Sequence, residues 1–92
     1  MVRVREARPL DGYRVQLGFT DGTTGVVDLT PYLWGPVFEP LRRDPALFAE
    51  VRVDTEAGTI VWPNGADFCP DVLYSWATGT LLPGADHHAA RG

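Results

Sequence analysis

Tyr13-Arg-Val-Gln-Leu-Gly-Phe-Thr-Asp-Gly-Thr-Thr-Gly-Val-Val-Asp-Leu29 decides the fold of this chain. Tyr13, Val15, Leu17 and Phe19 alternate with Arg14, Gln16, Gly18 and Thr20. A period of two marks a strand with one buried face and one wet face. Asp21-Gly22 is a hairpin turn signal, and a third strand over residues 24–29 follows it. Upstream, Val2 and Val4 alternate with Arg3 and Arg5, and Pro9-Leu-Asp-Gly12 supplies the turn between the first two strands. The opening third therefore reads as a three-stranded antiparallel meander.

Prolines punctuate the middle. Thr30-Pro31 and Asp44-Pro45 each set a capping residue before a proline at the first helical position, where the missing N–H costs nothing. Pro36 and Pro40 forbid one long helix. The expected elements are a helical turn at 31–33, an irregular turn at 37–42 and a short helix at 45–50. Leu33, Trp34, Val37, Phe38, Leu41, Leu47 and Phe48 are expected to cover the sheet.

The last part, Thr59-Ile-Val-Trp-Pro-Asn-Gly-Ala-Asp-Phe-Cys-Pro-Asp-Val-Leu-Tyr74, runs from an apolar strand through a polar turn into a helix. Val51-Arg-Val53 and Thr59-Ile-Val-Trp62 form a second hairpin around a turn at 54–58. The closing helix spans 70–78, with Asp71 favourably placed in its first turn. Val72, Leu73, Trp76 and Ala77 make its apolar stripe, and Gly79 its stop. The fold class is α+β: a small antiparallel sheet (meander plus second hairpin) packed against short helices. Residues 1–79 form one domain and 80–92 a flexible tail.

Ninety-two residues suffice for one domain with a modest core, and 45% hydrophobic content fits a folded globule. No apolar run is long enough for a bilayer-spanning helix. The alternating N-terminus lacks the apolar centre of a signal peptide, so the cytoplasm is the expected location. All eight basic residues are arginine, which fits a GC-rich bacterial genome. A net charge of −4 argues against nucleic-acid binding. The charge is uneven: Arg3, Arg5, Arg8 and Arg14 outnumber Glu6 and Asp11 in the first twenty residues, whereas acidic groups dominate from Glu50 onward.

Asn64-Gly65 suits a turn and Asp67 a cap or pre-cap of the following helix. The functional alternative makes Asp67, Asp71 and Cys69 a cleft that binds a small ligand or works as an enzyme. Two carboxylates without a further ligand make a poor metal site, so no metal and no cofactor is expected. Cys69 is the only cysteine. No base stands near it in the sequence, because His87 and His88 lie in the tail; a buried apolar cysteine is the simpler reading. Alternation puts Arg3, Arg5 and Arg14 on the wet face of the first two strands, where they form either an ordinary solvated face or a docking stripe for an acidic partner protein.

Asp21-Gly22, Val27-Asp28-Leu29, Gly35-Pro36-Val37-Phe38-Glu39-Pro40-Leu41 and Phe48 are four fragments of one pattern. Trp62-Pro-Asn-Gly-Ala-Asp67 with Leu73-Tyr74 is its most specific part. Together they resemble a bacterial family of unknown function, domain of unknown function 2442, over residues 2–79. The resemblance implies a small α+β protein and a partner-binding module, the antitoxin-like member of a two-gene pair. Some relatives carry an added helix-turn-helix domain; DNA reading by such a domain is not expected here. The expected function is a non-enzymatic interaction module that binds a small protein encoded by a neighbouring gene. Its candidate contacts are Arg3, Arg5, Arg14, Trp62, Asn64 and Asp67. The edge strands of so small a sheet also offer homodimerisation.

Overall fold

Val15, Leu17 and Phe19 alternate inward along the central strand of the meander, and each is buried. A computed structural model describes residues 2–79. Strands β1 (Val4–Pro9), β2 (Arg14–Phe19) and β3 (Thr24–Asp28) form one antiparallel sheet in the order β1-β2-β3. Val15 pairs with Val27 and Leu17 with Gly25, so the apolar sides of β2 and β3 share one face.

The β1–β2 pairing departs from simple alternation. Val4 pairs with Phe19 and Glu6 with Gly18, which leaves Arg5 as the extra residue of a bulge. Val4 is buried and Ala7 packs against the core. They lie three positions apart, so a period of two fails unless one residue is absorbed. The bulge leaves Arg5 and Glu6 both exposed.

A short 3₁₀ turn (Thr30–Tyr32) and two short helices, α1 (Glu39–Arg43) and α2 (Pro45–Phe48), follow. Asp44 caps α2 by accepting from the Ala46 and Leu47 amides at 3.0 and 3.4 Å. The expected Thr30 cap is not formed. Asp28 serves the 3₁₀ turn instead, accepting from both the Thr30 amide and its hydroxyl. Leu33, Phe38, Leu41 and Phe48 enter the core as expected, but Trp34 and Val37 do not, being 46% and 42% exposed. Gly35, at φ +94°, turns the chain between buried Leu33 and buried Phe38. That reversal puts the intervening side chains outside.

The second hairpin, β4 (Arg52–Asp54) with β5 (Thr59–Val61), is a separate two-stranded sheet. The Val4 amide donates to the Gly58 carbonyl at 2.9 Å, which ties it to the meander. The Arg3 guanidinium adds bonds to the Thr55 and Glu56 carbonyls at 2.8 and 2.9 Å. Gly58 sits at φ +71°, and a Cβ there would come within 2.7 Å of that guanidinium.

Helix α3 (Pro70–Thr78) closes the fold against β3, with Pro70 in its first turn and Gly79 at φ +74° as its left-handed stop. Tyr74 reaches the β2–β3 turn, where its hydroxyl donates to Asp21 at 2.7 Å. The expected tail and its histidines lie outside the described residues.

That turn yields a pH prediction. The Tyr74 hydroxyl, and then the Thr23 amide, hold the Asp21 carboxyl below its ordinary value. The Thr30 hydroxyl and amide do the same for Asp28. A depressed folded-state value means the stabilisation is complete above the unfolded value, about 3.9, and fades as pH falls through the lower folded one. Carboxyl titrations by NMR should place both groups below that reference. Tyr74→Phe should return Asp21 toward it and leave Asp28 unmoved.

Candidate functional site

The polar turn after β5 is built by one asparagine. The Gly65 amide donates to the Trp62 carbonyl at 2.9 Å, and Gly65 takes the positive φ (+90°) that closes the turn. Asn64 Oδ1 accepts from the Ala66 amide at 3.1 Å, an Asx turn. The Trp62 amide then donates to the Ala66 carbonyl at 3.0 Å. Val61 bridges Asp67, so the chain folds back as a short extension of the second hairpin.

The same asparagine reaches a different part of the chain. Its Nδ2 donates to the Val37 carbonyl at 2.8 Å. That bond joins the 63–65 turn to the 34–37 loop, which carries the exposed Trp34, Pro36 and Val37 side chains. Underneath, Phe38 stacks on Phe68 with centroids 4.9 Å apart, and Phe68 meets Trp62 and Trp76 edge-on. Tyr32 stacks on Trp76 at 3.9 Å. The 34–37 loop thus presents apolar side chains next to the polar 63–65 turn, and the aromatic cluster begins at the adjoining Phe38.

The sequence-derived candidates fall in different places. Asn64 is the residue just described. Trp62 is a core residue, 1% exposed, with its indole N–H donating to the Phe48 carbonyl at 2.9 Å. The ring itself is therefore not available as a contact surface. Asp67 is exposed and sits in the Val61 bridge, two residues before the helix N-cap, so it does not cap α3. Cys69 is the N-cap and is exposed, which corrects the expectation of a buried thiol. The cause is the extended backbone at 67–69, which turns Phe68 inward and its two neighbours outward. Asp71 is likewise exposed.

The arginines do not form one stripe. Arg3 is half-buried and committed to the β4–β5 turn. Arg14 is ion-paired with Asp11, whose carboxyl is held below its ordinary value by that hydrogen bond and charge. Arg5 stands on the bulge, and Arg8 faces Gln16 across the β1–β2 ladder. Neither Arg5 nor Arg8 has an ion pair among the described residues. Both line an open groove of about 490 Å³ with Glu6, Ala7, Gln16 and Val53. A smaller depression of about 150 Å³ adjoins it through Arg5 and Glu6. Asp67, Cys69 and Asp71 line neither. Among the described residues, no three or more His, Cys, Asp and Glu side chains gather as a metal ion would require.

Sequence reasoning missed the outward turn of the 34–37 loop. Its signal was present in Trp34-Gly-Pro-Val37, where a glycine and a proline interrupt an apolar run. No curated protein and no solved structure matches the chain. The model of one family, described as a protein of unknown function (DUF2442), matches residues 4–79, and it spans both loops, the sheet and α3. On that match the chain belongs to the DUF2442 family.

Proposed function

We propose that this chain is a cytoplasmic protein-interaction module whose partner is a small protein encoded by a neighbouring gene, with the chain as the antitoxin-like member of the pair. The observation that carries this reading is the pinned loop at 34–37. A tryptophan at 46% exposure and a valine at 42% on one short loop are expensive to leave in water. Tryptophan is also among the residue types that most often anchor an interface, and here its loop is tied down by the Asn64 bond to the Val37 carbonyl. Asn64 holds that loop before any partner arrives, which lowers the ordering cost of binding. Arg5 and Arg8 offer a second contact, suited to carboxylates on the partner's rim, where charge sets encounter rate more than affinity.

The test is co-expression with the neighbouring gene's product, a tag on one protein only, and size-exclusion chromatography. The two should co-elute. Trp34→Glu should lower affinity by at least about thirtyfold, the cost of losing a hot-spot side chain at about 2 kcal/mol or more. The circular dichroism of the free variant should stay that of the parent, since the side chain lies outside the core. Separate elution of the unmodified proteins sinks the reading.

A further inference from the structure

Among the described residues neither edge of the meander pairs with a further strand, and the two edges are built differently. On the β1 side the edge is kinked by the bulge at Arg5 and ends on Pro9, which has no N–H to offer. Its first amide, Val4, is already bonded to Gly58. These are the usual ways in which a protein blunts an exposed strand. The β3 side has none of them. Its five residues, Thr24-Gly-Val-Val-Asp28, pair with β2 in unbroken register and contain no proline, lysine or arginine.

Hydrogen bonds at both ends of β3 fix which main-chain groups face outward. The Phe19 amide donates to the Thr23 carbonyl and the Leu29 amide to the Tyr13 carbonyl, each at 2.9 Å. In an antiparallel ladder, bonded and non-bonded positions alternate. Thr23, Gly25, Val27 and Leu29 therefore turn their main chain toward β2, whereas Thr24, Val26 and Asp28 direct N–H and C=O away from the sheet. The side chains of those same three residues are exposed on the outer face, and Val26, at 48%, is the most exposed large hydrophobic residue among the described ones. Helix α3 packs on the other face, where a Cβ at Gly25 would lie 2.7 Å from the Ala77 carbonyl oxygen.

We infer that β3 is the pairing edge for a second copy of this chain, joined antiparallel about a two-fold axis at Val26. The edge is complementary to itself in that arrangement. Val26 meets Val26 and exchanges a reciprocal pair of main-chain bonds, because its N–H and C=O both point outward. Thr24 meets Asp28 of the other copy, a hydroxyl donor opposite a carboxylate. On the inner face Gly25 meets Val27, a position without a side chain opposite a bulky one. No like charges stand opposed, and two β-branched side chains at the centre are a favourable cross-strand pair. The product is a continuous six-stranded sheet across both copies, the symmetric closed arrangement most common among homodimers.

Analytical ultracentrifugation of the full chain from low micromolar to millimolar concentration, with amide exchange at Val26 over the same range, tests this. The mass should double with concentration, and protection of the Val26 amide should rise in step. Val26→Lys sets two cations against each other at the axis, and Val26→Pro removes the central donor. Both should remain monomeric where the parent is dimeric, with unchanged circular dichroism; if the proline variant fails to fold, the lysine variant carries the test. A single-chain mass at every concentration overturns the inference. So does a dimer that survives Val26→Lys. Val26 protection independent of concentration would assign this edge to another segment of the same chain, and strand pairing only with a different protein would assign it to that partner; either result also overturns it.

Discussion

Trp62→Ala is expected to unfold most of the population at growth temperature. Trp62 is the largest of the fully buried side chains, set between Phe48 and Phe68 at ring distances of 5.7 and 6.0 Å. Truncating a buried tryptophan to alanine costs about 3–5 kcal/mol, because the cavity left behind collapses only in part. The indole N–H also satisfies the Phe48 carbonyl at the end of α2. That carbonyl also accepts from the Val51 amide at 3.2 Å, so loss of the indole bond adds only about 0.5–1.5 kcal/mol. A domain is stable by only about 5–15 kcal/mol in all, and a short chain belongs at the low end. The melting temperature should fall by roughly 12 °C or more. Trp62→Phe separates the two contributions: it keeps most of the packing and loses the donor, and the hydrogen-bond loss should cost about 0.5–1.5 kcal/mol. Urea denaturation followed by circular dichroism measures both variants. A Trp62→Ala midpoint close to that of the parent would contradict this account of the core.

Gly25→Val is expected to destabilise the fold as well, though less than Trp62→Ala and for the opposite reason. Gly25 lies at an inward-facing position of β3, and the space a Cβ would take is filled by the Ala77 carbonyl oxygen at 2.7 Å and its Cβ at 3.0 Å. The nearest atom belongs to helix backbone, so relief requires α3 to move off the sheet. Overpacking of this kind costs about 1–3 kcal/mol, and a branched side chain belongs at the upper end. The displacement should be visible beyond the melting temperature. The Tyr74 hydroxyl should lose Asp21, and the edge-on contact of Phe19 with Tyr74 should open. Near-ultraviolet circular dichroism, which reports aromatic packing, should change even where the far-ultraviolet signal persists. Gly18→Ala is the informative contrast. A Cβ there meets the Glu6 carboxylate at 3.0 Å, the mobile end of an exposed side chain, so a smaller loss is expected.

The sheet and the last helix were legible because local rules and packing agree there. Val15, Leu17 and Phe19 alternate and are buried; Pro70 opens α3 and Gly79 closes it. Features that depend on distant partners were not legible. Arg3 alternates with Val2 and Val4 as an outward residue should, yet its guanidinium finds carbonyls more than fifty positions away. The bulge at Arg5 arises because Val4 and Ala7 must both face the core, which alternation alone does not reveal. Trp34 and Val37 have the composition of core residues, and only the left-handed turn at Gly35 puts them outside. At the candidate site, Asn64 could be read as a turn residue from Asn64-Gly65. Its bond to Val37, 27 positions earlier, could not. Cys69 followed the same logic in reverse: a residue type usually buried was turned outward by the alternation that buries Phe68.

Two loops joined by Asn64 form the surface on which the proposed function rests. The most direct measurement is hydrogen exchange of the complex with the neighbouring gene's product, compared residue by residue with the free chain. Protection should rise in the loops at 34–38 and 63–66, with the largest change around Trp34. Protection confined to the strand carrying Arg5 and Arg8, with both loops exchanging as in the free chain, would contradict the assignment of the docking surface.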